Sequence, residues 1–151
     1  MFFDNFCPQN NDMRYITRPH RFIRHLPTLP FIYFATVPII FLDIWIEIYH
    51  RICFPFYNIP YVKRSDYIKI DRQKLSYLGF MQKLNCTYCG YANGAVKYWT
   101  RIFAETEKYW CAIQHQQDEK FEVPEHHAEF IPFGDEKAYK ETYDDKKTRM
   151  L

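Results

Sequence analysis

The sequence predicts a mainly α protein, with one N-terminal membrane helix followed by a small α-rich cysteine-containing domain. Three observations predict it. Residues 26–42 carry no charged side chain, and Ile44, Trp45, Ile46, Ile48, Ile52, Cys53, Phe54 and Phe56 carry the apolar run past Asp43 and Glu47. Ala95, Tyr98, Trp99, Ile102, Phe103 and Thr106 recur at spacings of three and four, the period of a helix with one buried face. Between these segments, Cys86-Thr87-Tyr88-Cys89-Gly90 reads as a tight turn that points two thiols the same way. The chain thus divides into a basic arm (1–25), a membrane segment (26–56), a soluble domain with a Cys-x-x-Cys knuckle (57–134) and a charged tail read as disordered (135–151).

A spanning helix needs about 20 mainly apolar residues, and residues 31–53 supply them, with Pro30 at the start and Pro38 inside. Asp43 and Glu47 are costly in lipid, by roughly 2.5–3.5 kcal/mol each at the bilayer centre. Asp43, Glu47 and His50 are spaced i, i+4, i+7 and share one helical face. Glu47 and Arg51 are placed to pair at i, i+4. A polar stripe on an apolar helix calls for a partner helix or a segment lying at the membrane interface. Two placements fit. The helix crosses once, and the excess of Lys and Arg after it (Arg51, Lys63, Arg64, Lys69, Arg72, Lys74 and Lys83, against Arg14, Arg18, Arg21 and Arg24 before it) puts the C-terminal domain in the cytoplasm. Alternatively, both basic flanks face one anionic leaflet and Pro38 kinks an in-plane helix.

After the Pro-bounded stretch 54–60, residues 61–70 read as extended, and Asp71 as the N-cap of a short helix through Leu75 and Leu78. Aromatics make up 20% of the chain, which suits an interface belt or a small packed core. A net charge of +2 gives no reason to expect a nucleic-acid partner. Five cysteines, an odd number, argue against a disulfide framework.

Cys86, Cys89, Cys111 and His115 form an accepted ligand set for structural zinc. Iron or an iron–sulfur cluster is the alternative on the same ligands, and a redox-active Cys86/Cys89 pair is a third reading. One straight helix from Ala95 to His115 would hold Cys111 about 24 Å from Ala95, at ~1.5 Å per residue. The four residues therefore meet within one chain only if the helix stops near Glu105–Glu107, or across an antiparallel dimer. Glu47-Ile48-Tyr49-His50 has the Glu-x-x-His spacing of di-iron bundles, but no second copy occurs, so it reads as part of the polar stripe. His126-His127 offers two metal donors, but the pair reads rather as part of a solvated loop.

The stretch Ile59-Pro60-Tyr61-Val62-Lys63-Arg64-Ser65-Asp66-Tyr67-Ile68, then Ile70-Asp71-Arg72, Asn85-Cys86-Thr87-Tyr88-Cys89-Gly90-Tyr91-Ala92-Asn93-Gly94 and Tyr109-Trp110-Cys111 with His115, resembles a family of small uncharacterised bacterial membrane-associated proteins. The resemblance implies a hydrophobic N-terminal half followed by a Cys-containing domain, and no activity. Three functions are then expected, in this order. The first is a non-enzymatic membrane-attached adaptor or assembly subunit with a zinc site, whose partners are lipid and either another membrane protein or a second copy. The second is a redox or electron-transfer protein. The third is a membrane enzyme acting on a lipid or quinone through Asp43, Glu47 and His50.

Overall fold

The structure, a computed structural model, describes residues 21–143. It is mainly helical, as expected, with no strand among the described residues. Contacts divide the chain into two compact units, residues 1–40 and 41–151. In the first, a single turn α1 (Arg21–His25) leads through a 3-10 turn (Leu26–Thr28) into α2 (Leu29–Tyr57). Thr28 closes that junction by donating its hydroxyl to the His25 carbonyl at 2.7 Å.

The second unit holds the rest of α2, an irregular return segment, α3 (Phe80–Trp110) and α4 (Glu136–Tyr143). Pro55 does not stop α2, which ends two residues later at Tyr57. Asn58 then takes a left-handed conformation (φ 55°). Its N–H donates to the Pro55 carbonyl at 3.2 Å, and the Ile59 N–H donates to the Phe54 carbonyl at 3.0 Å. This is a Schellman closure with Asn in the place glycine usually takes.

The return segment runs back along α2. Tyr61 stacks on His50, with ring centroids 4.2 Å apart, and Arg64 reaches Asp43. Instead of the expected extended stretch and short helix, the segment holds 3-10 turns at Arg64–Asp66 and Arg72–Lys74. Asp71 occupies the N-cap position of the second turn without a side-chain bond.

α3 begins at Phe80, fifteen residues before the periodic stretch that predicted it, with Gly79 as its N-cap. The Gln82 side chain accepts from the Gly79 N–H at 2.9 Å and starts the helix. It runs parallel to α2, because Asp43 meets Trp99, Tyr49 meets Thr106 and Tyr57 stacks on Tyr109. Ala95, Tyr98, Trp99 and Ile102 are buried, as their spacing predicts. Phe103 is half exposed, off that face.

The expected Cys-x-x-Cys turn is absent: Cys86, Cys89 and Gly90 lie inside α3. Their glycines serve close approach rather than a turn. A Cβ on Gly90 would sit 2.8 Å from the Lys69 carbonyl oxygen, and one on Gly94 would sit 2.8 Å from both Ile68 Cα and the Tyr67 carbonyl oxygen. The two glycines, one turn apart on α3, form the bare strip on which the return segment lies.

Beyond α3, the Gln114 N–H donates to the Ile131 carbonyl at 2.8 Å, and the Ile131 N–H donates to the Ala112 carbonyl at 2.9 Å. These bonds fold the 3-10 turn Glu125–Glu129 back over the end of α3. The tail differs from expectation at its start. Asp135 caps α4 by accepting from the Ala138 N–H at 2.9 Å. Glu136 pairs with Lys140 at i, i+4 on its surface. Residues 144–151, most of the 1–25 arm, and Cys7 lie outside the described residues.

Candidate functional site

Two polar clusters stand out, both in the second unit. The first lies between α2 and α3. Asp43, Ile46, His50 and Phe54 are the buried residues of α2, so the predicted polar face is the face that α3 and the return segment cover. The Asp43 carboxylate accepts four hydrogen bonds: Arg64 Nη1 at 2.8 Å and Trp99 Nε1 at 3.0 Å on Oδ1, and Arg64 Nη2 at 2.5 Å and the Tyr91 hydroxyl at 2.8 Å on Oδ2. This is a bidentate guanidinium–carboxylate pair with both oxygens filled. Glu47 accepts from Arg51 Nε at 2.7 Å, from the Tyr61 hydroxyl at 3.1 Å and from the Tyr98 hydroxyl at 2.8 Å.

His50 is fully buried, and its tautomer follows from its partners. Nε2 faces the Val62 N–H at 3.1 Å, which can only donate, so Nε2 is the bare acceptor. The proton then sits on Nδ1 and is donated to the Tyr98 oxygen at 3.0 Å, whose hydroxyl in turn donates to Glu47. The anions leave their mark on α3. Burial, then the hydrogen bond to Asp43, pushes the Tyr91 hydroxyl up to about 12. Burial and the bond to Glu47 raise Tyr98 further. Both phenols stay protonated as donors.

The second cluster lies at the far end of α3. Glu107 Oε2 meets His126 Nε2 at 2.7 Å, and Oε1 meets His127 Nε2 at 3.2 Å. Burial pushes the Glu107 carboxyl up, but the His126 bond and the charges of His127 and His126 outweigh it and hold it below its ordinary value. The 3-10 turn presents both rings, at right angles and 4.7 Å apart. His127 is not solvated as expected: it is 1% exposed, stacked on Phe130 at 4.7 Å, and its Nδ1 has no hydrogen-bond partner. One donor atom from each of Glu107, His126 and His127 lies within 4.8 Å of the other two, an arrangement that could hold a metal ion.

No protein-family model, no curated protein and no solved structure matches this chain.

The sequence-predicted metal ligands are placed differently. Cys86 and Cys89 lie in the first turns of α3, and Cys111 caps its other end. Cys89 and Cys111 are about 33 Å apart along the axis at ~1.5 Å per residue. The stop near Glu105–Glu107 that would bring them together does not occur, because the helix bonds continue to Trp110. Within one chain, Cys86, Cys89, Cys111 and His115 therefore do not share an ion. All three cysteines are free thiols, with Cys89 and Cys111 exposed. His115 alone comes near the second cluster, its ring 5.4 Å from that of His127. No local signal joins Glu107 to His126 and His127, which lie nineteen and twenty residues further on and meet it only through the chain reversal at Ile113–Ile131.

Proposed function

We propose that this chain is a non-enzymatic, membrane-anchored adaptor that crosses the bilayer once and holds its helical domain at the cytoplasmic surface. The observation that carries the reading is exposure. The helical stretch Ile23–Tyr57 has an apolar window of mean hydropathy 1.9, yet only 11% of that window is buried. The core helix of a water-soluble protein is mostly buried. Here Phe31, Phe34, Val37 and Phe41 stand open. Apolar surface this continuous needs lipid or a partner to cover it.

The charges that make the segment look unsuited to a membrane support the reading. Asp43 and Glu47 begin only after the charge-free run 26–42 and are neutralised by Arg64 and Arg51. The same bonds argue against catalysis at Asp43, Glu47 and His50. Every oxygen of the two carboxylates and both imidazole nitrogens already have partners, which leaves no base or acid free to meet a substrate. The larger number of Lys and Arg after the helix supports the cytoplasmic placement.

Alkaline carbonate washing of membranes from cells making the full-length chain tests this. The protein is expected to stay in the pellet and to enter solution only with detergent. A folded, monodisperse protein in the detergent-free supernatant would overturn the proposal.

A further inference from the structure

We propose that Glu107, His126 and His127 form a binding site for a divalent transition-metal ion, with zinc the best match to their chemistry. Two imidazoles and one carboxylate are a recurrent zinc donor set, with positions left open to water. Imidazole donors also disfavour magnesium and calcium, which prefer all-oxygen shells.

The donors are already gathered. Each Glu107 oxygen is in contact with one imidazole, and all three ligand atoms fall within 4.8 Å of one another. Ligands at about 2.1 Å from a tetrahedral ion are about 3.4 Å apart, so small side-chain rotations close the site. The supports are rigid. Glu107 lies in the last turn of α3. The histidines occupy consecutive positions of a 3-10 turn held by the Gln114 side chain, which donates to the His127 carbonyl at 2.9 Å.

His127 is the most deeply buried of the three ligands. Its ring is 99% buried, and Nδ1 is left without a partner while Nε2 shares the carboxylate. Buried imidazole nitrogens in structural networks are nearly always paired, as those of His50 are. Nδ1 lies across the ring from Nε2, so Nε2, the nitrogen that already faces Glu107, is the donor offered to the ion. Binding displaces any protons on the ligating nitrogens to solvent and replaces the carboxylate–imidazole bonds with metal–ligand bonds. The site owes nothing to membrane attachment and is tested in detergent.

The test is titration of the purified, chelator-stripped full-length protein with Zn2+, and with Co2+ as a visible-absorbing probe, with Mg2+ as control. One ion per chain is expected. His126→Ala and Glu107→Gln should each weaken binding by more than the roughly 10-fold lower limit typical of losing an outer-shell partner. The triple variant Cys86→Ser/Cys89→Ser/Cys111→Ser should bind as the parent does. Helical circular dichroism identical to the parent qualifies each variant; where His126→Ala fails that check, Glu107→Gln decides. Absence of stoichiometric Zn2+, binding unchanged by Glu107→Gln, or binding lost in the cysteine variant would each overturn the proposal.

Discussion

Around Asp43, Glu47 and His50, a carboxylate pair and a buried imidazole have every hydrogen-bonding atom engaged, by donors drawn from α2, the return segment and α3. At Glu107, His126 and His127, the same residue types converge with fewer partners, and one buried nitrogen is left over. The first cluster has the character of a joint; the second is where we propose that a metal ion binds. A saturated network fixes one arrangement of helices, and its groups have no capacity left for a ligand. An unsaturated one keeps capacity in reserve, at a cost in the unliganded fold.

The largest expected effect that would break this contrast is at Arg64. Arg64→Ala leaves the buried Asp43 with only Tyr91 and Trp99 as donors. Breaking a buried ion pair costs about 3–5 kcal/mol. The guanidinium is 36% exposed, so a loss of about 2–3 kcal/mol is expected here, read by thermal or denaturant unfolding in detergent. A smaller loss is expected for Tyr98→Phe, which removes the hydroxyl linking Nδ1 of His50 to Glu47. Orphaning a buried partner costs about 1–3 kcal/mol, and the same unfolding measurement applies. Arg51 is solvent-facing, and Arg51→Ala should leave the midpoint unchanged within error.

A pH-dependent effect sharpens the second cluster. The folded Glu107 carboxyl titrates below its ordinary value of 4.5, so its contribution to stability is present above that pH and is lost as pH falls through the lower folded value. The Tm difference between the parent and Glu107→Gln, measured without metal, should therefore narrow as pH is taken from about 5 to about 3. A difference that is flat across that range would show that the carboxylate is not ionically engaged with the two histidines.

Much of the scaffold was legible in the residues. The charge-free run 26–42 and the period through Ala95, Tyr98, Trp99 and Ile102 mark the two long helices, and the i, i+4, i+7 spacing of Asp43, Glu47 and His50 marks a face needing a partner. That the partner is α3 of the same chain was not legible, because Arg64, Tyr91 and Trp99 reach Asp43 only after the return segment folds back. Cys86-x-x-Cys89-Gly90 misled for a physical reason. Glycine marks both turns and close helix contacts, and at Gly90 and Gly94 the second use holds. Charge alone predicts a disordered tail, but the Asp135 cap and the Glu136–Lys140 pair at i, i+4 start α4 there. The histidine pair looked like a solvated loop because nothing local signals that Phe130 will stack on His127.

The central claim is that lipid, not water, surrounds the open apolar face of α2. A single nitroxide at position 34, where Phe34 is 77% exposed, tests it most directly in reconstituted bilayers. High collision rates with molecular oxygen and negligible rates with a water-soluble paramagnetic reagent are expected. Ready collision with the aqueous reagent, at the rate of a nitroxide at the solvent-facing Arg101, would contradict it.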